Sequence, residues 1–193
     1  MAATEPDYRK FYNLEQYLFE EVGPQYRKTA TLSVFDFFCI IIWKANRAKS
    51  KIAKKLITHA EQYPNLEVAV NALARQIADA VEPRERLKVL FSGWGFRLPM
   101  ASAILTVLYP EDFTVYDIRV CQEIGDFANL QNRTNFDSLW NGYASFLKAV
   151  KTHAPSNFEL RDKDRWLWGK SFYKQLSDDI SDGFSRLKED DES

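Results

Sequence analysis

Residues 92–105, SGWGFRLPMASAIL, set two glycines around a tryptophan, then a proline, then the small residues Ala101, Ser102 and Ala103 in an apolar run. The preceding EPRERLKVLFSG reads as a short helix opened by Pro83 and closed by Gly93. The Ala-Ser-Ala run reads as a second helix whose small side chains allow close packing. Glycine adopts positive φ without steric cost and lets another backbone approach. A turn of this kind exposes successive N–H groups at a helix start, which hold an anion, typically phosphate. The plainer reading makes Gly93 a C-cap and Gly95 the relief of a crowded turn. Trp94 stands apart, because a turn between glycines does not by itself require an indole for packing.

Working outward, the periodicity predicts helices on both sides. Apolar Tyr8, Phe11, Tyr12, Tyr17, Leu18 and Phe19 suggest a helix over about 6–21, followed by a break at VGPQYRKTAT. LSVFDFFCIIIWKA starts at Ser33, a good cap, and is apolar almost all round, which predicts a central helix. NRAKSKIAKKLITHAEQY has Ile52 and Leu56 on one face and Lys49, Lys51, Lys54 and Lys55 on the other. NLEVAVNALARQIADA is amphipathic, with Leu66, Val70, Leu73 and Ile77 three or four apart. Beyond the opening stretch, Pro110 stops a helix and FTVYD reads as an extended connection, since one strand has nothing to pair with. Asp117 then starts the next helix. NFDSLWNGYASFLKAVKTHA and LRDKDRWLWGKSFYKQL complete an all-α chain of eight or so helices.

The 193 residues, 46% hydrophobic and 15% aromatic, suit one domain with a real core, taken as residues 1–187, followed by an acidic tail at 188–193. The net charge of −1 provides no global field for nucleic acid. Setting aside the tail, with one positive and four negative side chains, leaves +2 on the body. Cys39 and Cys121 both sit in apolar segments, which fits a reduced, cytoplasmic protein. The start lacks the order of a signal peptide, and the apolar run VFDFFCIIIW is too short to span a membrane. His59 and His153 lie far apart without companion ligands, so no metal site is expected. Ser92 lacks a nucleophile elbow, and no phosphate-loop or dinucleotide fingerprint is present.

The hairpin and the aspartate beyond it resemble the helix-hairpin-helix DNA glycosylase superfamily, closest in flavour to 8-oxoguanine glycosylase-like proteins. The matching residues are Gly93, Gly95, Ala101, Ile104, Leu105, Val115, Asp117, Ile118 and Val120. The resemblance covers roughly residues 32–172. It implies two helical lobes around a cleft, and a monomer that binds DNA and hydrolyses the N-glycosidic bond of a damaged base, with oxidised purines among the candidates. Asp117 would stabilise the sugar cation or activate water, and it would equally serve as a helix N-cap. Gly93, Trp94, Gly95, Phe96 and Arg97, with Lys49 and Lys51, would hold the DNA backbone. Trp43, Tyr116, Trp166 and Trp168 would face an extruded base, although aromatics at helical spacing also serve as core.

The family hairpin is two residues shorter between its second glycine and its alanine than the run from Gly95 to Ala101. The place of the strand-cutting lysine is taken by Pro99 or Leu98. Arg97 stays protonated and is no Schiff-base nucleophile, which implies hydrolysis without strong lyase activity. Two cysteines do not make an iron–sulfur site. No cofactor is implied beyond a monovalent cation that hairpins of this family hold through carbonyls. Two other readings stay open: a non-catalytic helix-hairpin-helix DNA-binding module, and a helical interaction protein without a nucleic-acid role.

Overall fold

A computed structural model of the chain describes residues 7–59 and 63–184, without the side chain of His59. The acidic tail at 188–193 and the helix end expected at 60–62 lie outside the described residues. Every regular element among the described residues is helical. In chain order the α-helices are α1 (Leu14–Tyr17), α2 (Gly23–Thr29), α3 (Val34–Ala45), α4 (Lys49–His59), α5 (Leu66–Asp79), α6 (Pro83–Lys88), α7 (Leu98–Leu108), α8 (Ile118–Ile124), α9 (Phe136–His153) and α10 (Leu160–Ser181).

The caps follow the sequence. Ser33 Oγ accepts from the Asp36 amide at 3.0 Å, Asn65 from Val68 at 3.0 Å, and Asn135 from Ser138 at 2.9 Å. Each satisfies a donor that the first helical turn leaves open.

The break expected across VGPQYRKTAT (22–31) is confined to its end, at Ala30 and Thr31. The chain winds as a π turn over Leu18–Val22 and continues into α2, which ends at Ala30 with φ 53°. Proline lacks an N–H and clashes with the carbonyl four residues back. The wider turn before Gly23 and Pro24 accommodates both faults. Gly23 also brings α2 against α7: a Cβ there would meet the Val107 carbonyl oxygen at 2.4 Å.

The most buried helix is α7, not α3. Every α7 residue except Pro99 is buried, whereas Phe35 and Ile42 of α3 are exposed. Ala101, Ser102 and Ala103 are completely covered, as their small size allows.

After α7 the extended segment FTVYD is held by side chains instead of a sheet. The Tyr143 hydroxyl donates to the Thr114 carbonyl at 2.6 Å and accepts from the Thr114 amide at 3.1 Å. The Tyr116 amide donates to Ser102 Oγ at 2.9 Å. Buried backbone polar groups require such partners, and these deliver Asp117 to the start of α8.

Candidate functional site

Two features bring the sequence-selected residues together: the Gly-Trp-Gly hairpin and a cavity at Asp117.

The hairpin forms as a helix–turn–helix unit. α6 runs into a π turn over Val89–Gly93, and α7 begins at Leu98. Gly95 sits at φ 66°, where a side chain would be strained, whereas Gly93 has no positive φ and nothing near its missing Cβ. Glycine is therefore required at the second position only. The Trp94 and Phe96 amides donate to the Val89 and Leu90 carbonyls, so these two N–H groups do not serve as an anion nest. The Lys55 ammonium donates to the Gly95 carbonyl at 2.9 Å. An internal ammonium thus occupies a carbonyl of the kind expected to hold a monovalent cation. Lys51, Lys54 and Lys55 line an open groove with Ser92, Gly93, Trp94 and Gly95. Arg97 is exposed nearby in sequence.

Three residues expected at the hairpin pack differently from what the sequence suggests. Trp94 is only 2% exposed, its Nε1 donates to Gln76 Oε1 at 2.8 Å, and its ring stacks on Tyr63. Packing does use this indole. Phe96 is buried against Phe37. Lys49 turns to the Asn46 side chain at 2.9 Å and is not among the groove residues.

The cavity measures about 520 Å³. Asp117 reaches it as the cap of α8, its Oδ1 accepting from the Arg119 amide at 3.0 Å. Its Oδ2 takes the Lys44 ammonium at 2.7 Å. Capping and a place in the cavity are therefore compatible. Trp43 and Trp168 form aromatic walls. Trp43 packs edge-on to Phe19 under the Arg161 guanidinium, and Trp168 stacks on Phe172 under Arg119.

The other two expected pocket aromatics lie elsewhere. Tyr116 is buried with its hydroxyl on the Phe127 and Ala128 carbonyls. Trp166 packs on the core beside Lys170. Neither lines the cavity, because along both segments neighbouring residues point to different sides.

Five further charged residues complete the cavity: Arg119, Glu15, Arg161, Asp164 and Arg165. Arg161 pairs with Asp164 and with Glu15, and Arg165 bonds Glu15 at 2.9 Å. The Arg161 Nε is buried without a partner among the described residues. Burial pushes the Asp164 carboxyl up to about 6, although Arg161, Lys44 and the Val115 amide pull it down. Burial also raises Glu15, but Arg161 and Arg165 more than offset this and hold it below the ordinary range. Burial lifts the Cys39 and Cys121 thiols to about 11, which leaves little thiolate at neutral pH.

Sequence reading selected Asp117, Trp43 and Trp168 but missed Lys44, Glu15, Arg161, Asp164 and Arg165 as site residues. Lys44 had one signal, the lone cation at the end of a helix whose only other charged residue is Asp36. Glu15 had none, since it meets Arg161 from 146 residues away.

No helix among the described residues is long and apolar enough to cross a membrane. No family model, no curated protein and no solved structure matches this chain.

Proposed function

We propose that the protein is a DNA glycosylase-like enzyme that releases a damaged base by hydrolysis, within a two-lobed helix-hairpin-helix arrangement. The observation carrying this reading is the Asp117 carboxylate, fixed by the Lys44 ammonium and the Arg119 amide at a cavity walled by Trp43 and Trp168. Cleavage of a nucleotide's glycosidic bond builds positive charge on the sugar, and a preoriented carboxylate stabilises that charge without reorganising. An extruded base needs apolar faces, which the two indoles supply. The lysine-lined hairpin groove supplies backbone affinity through counterion release. Its contact is with phosphate and carries no base sequence.

A second chemical reading is favoured by Lys44. The hairpin has no amine at Leu98 or Pro99, yet α3 brings one to within 2.7 Å of Asp117. Once deprotonated, that amine would attack the sugar C1′ and the base would leave with the electrons of its glycosidic bond; opening of the C1′–O4′ ring bond would then leave a covalent imine that borohydride reduces and traps. The non-catalytic DNA-binding module keeps only the hairpin groove.

One experiment separates these readings: base release from a panel of damaged duplexes, with matched binding and borohydride trapping. Asparagine caps helices as well as aspartate, so Asp117→Asn should fold, bind DNA, and lose release by about 10²–10³-fold. An adduct absent in Lys44→Gln would assign the amine chemistry. Binding without release in the wild type would favour the module. No binding at low salt would overturn the nucleic-acid reading altogether.

A further inference from the structure

The Asp117 cavity contains a second cluster that base release leaves unused. Two arginines of α10 converge on one oxygen: Arg161 Nη2 donates to Glu15 Oε1, and Arg165 Nε donates to the same atom at 2.9 Å. The two lie four residues apart, so both guanidiniums rise from one face of the helix. Both sit over the Phe19 ring, at 5.0 and 5.9 Å, and Arg161 also sits over Trp43 at 5.2 Å. Each has a carboxylate of its own besides Glu15. Arg161 bonds the buried Asp164, and Arg165 bonds Asp162 at 2.8 Å. Ring contacts and these separate carboxylates therefore hold the pair in place without Glu15.

Glu15 is attached more loosely. It belongs to a segment, the 3₁₀ turn Tyr8–Phe11 and α1, in which no residue is buried. That segment is anchored elsewhere: Phe11 packs on Tyr17 and Phe35, and the Tyr17 hydroxyl donates to Asp36. The Glu15 side chain is 32% exposed, so rotation about its own bonds takes the carboxylate into solvent while the segment stays. Within the cavity lining three carboxylates face four cations, and withdrawing Glu15 leaves two. One of the cations, Arg119, bonds the neutral Gln175 side chain and has no ion-pair partner among the described residues. With Glu15 withdrawn, a positive and preorganised site remains in the same cavity as Asp117.

We propose that Arg161 and Arg165 bind a phosphate group of the ligand in this cavity, and that the Glu15 carboxylate is an internal competitor displaced by it. Phosphate oxygens take the place of Oε1, one accepting from Arg161 Nη2 and another from Arg165 Nε. Guanidinium–phosphate bonds are charge-assisted and stronger than neutral ones. A cavity of about 520 Å³ suits a ligand of nucleotide size. The phosphate is that of a DNA strand or of a free deoxynucleotide, and the contact chemistry is the same. The inference deepens the glycosylase reading and rests on it only for the place of the sugar at Asp117.

Calorimetric titration of the full chain with inorganic phosphate, a deoxynucleoside monophosphate and a damaged duplex tests it. Glu15→Gln removes the competing charge and keeps the side chain's shape. It is expected to tighten inorganic phosphate about tenfold, and Arg165→Gln in the same chain to undo the gain. Glu67→Gln, the same charge change at an exposed position of α5, should leave phosphate binding unchanged. An equal gain for the duplex places the phosphate in DNA; a gain for the monophosphate without one for the duplex places it on a free nucleotide. Unchanged or weaker phosphate binding in Glu15→Gln means that Glu15 only ties α1 to α10, and overturns the proposal. So does a gain that survives Arg165→Gln or is matched by Glu67→Gln. None of these titrations reads base release. A gain without release refutes the glycosylase reading alone, and release without the gain refutes this proposal alone.

Discussion

Asp164 makes the protein's stability depend on pH in a direction opposite to that of most ion-paired carboxylates. Its side chain is 4% exposed and touches Arg161. Burial nevertheless outweighs that partner and raises the carboxyl from 3.8 to about 6. Arg161 is shared with Glu15, so its charge is not devoted to Asp164. Between the unfolded and folded values, the folded chain holds a proton that the unfolded chain has lost. Stability is thus full below the unfolded value and falls as pH rises through the folded one. A shift of this size corresponds to about 3 kcal/mol in total, of which about 2 kcal/mol falls between about pH 4.5 and about pH 7. Glu15 works the other way: its contribution is present at higher pH and is lost as pH falls through its depressed folded value.

Urea unfolding across that range, wild type against Asp164→Asn, measures the effect. The comparison isolates Asp164 because other groups titrate in both proteins. The wild type should lose about 2 kcal/mol relative to the variant as pH rises. A difference that stays constant, or a wild type that gains relative stability, would refute the reasoning and mean that the Arg161 pairing outweighs burial.

Two further substitutions test the packing. Trp94→Phe keeps an aromatic ring but loses the bond to Gln76, and should cost about 1–2 kcal/mol in chemical denaturation while leaving DNA binding unchanged. Loss of DNA binding without loss of stability would restore Trp94 as a ligand contact. Gly23→Ala places a methyl against the Val107 carbonyl. It should destabilise by about 1–3 kcal/mol in the same assay, despite alanine's better helix propensity.

The helical class, the cap at Ser33, the extended segment before Asp117 and the hairpin itself were legible in the sequence. Each depends on residues within one or two turns of one another. The uninterrupted passage through Gly23 and Pro24 was not, because a π turn leaves no simple periodic trace. Of the expected base-facing aromatics, Trp43 and Trp168 lie at the cavity and Tyr116 and Trp166 do not. A tryptophan in sequence carries no sign of which side of its helix faces a cleft.

The sequence by itself determined that the described chain is helical and that Asp117 caps a helix after an extended segment. Local capping and hydrophobic periodicity are short-range effects, written in consecutive residues. Only the tertiary structure decided that Lys44 bonds Asp117, that Lys55 occupies the Gly95 carbonyl, and that Trp94 is core. Those contacts join residues 73, 40 and 18 positions apart. Their formation depends on how α3, α4 and α5 pack against one another and how α5 packs on the turn before α7, where burial and close approach select partners that spacing along the chain does not reveal.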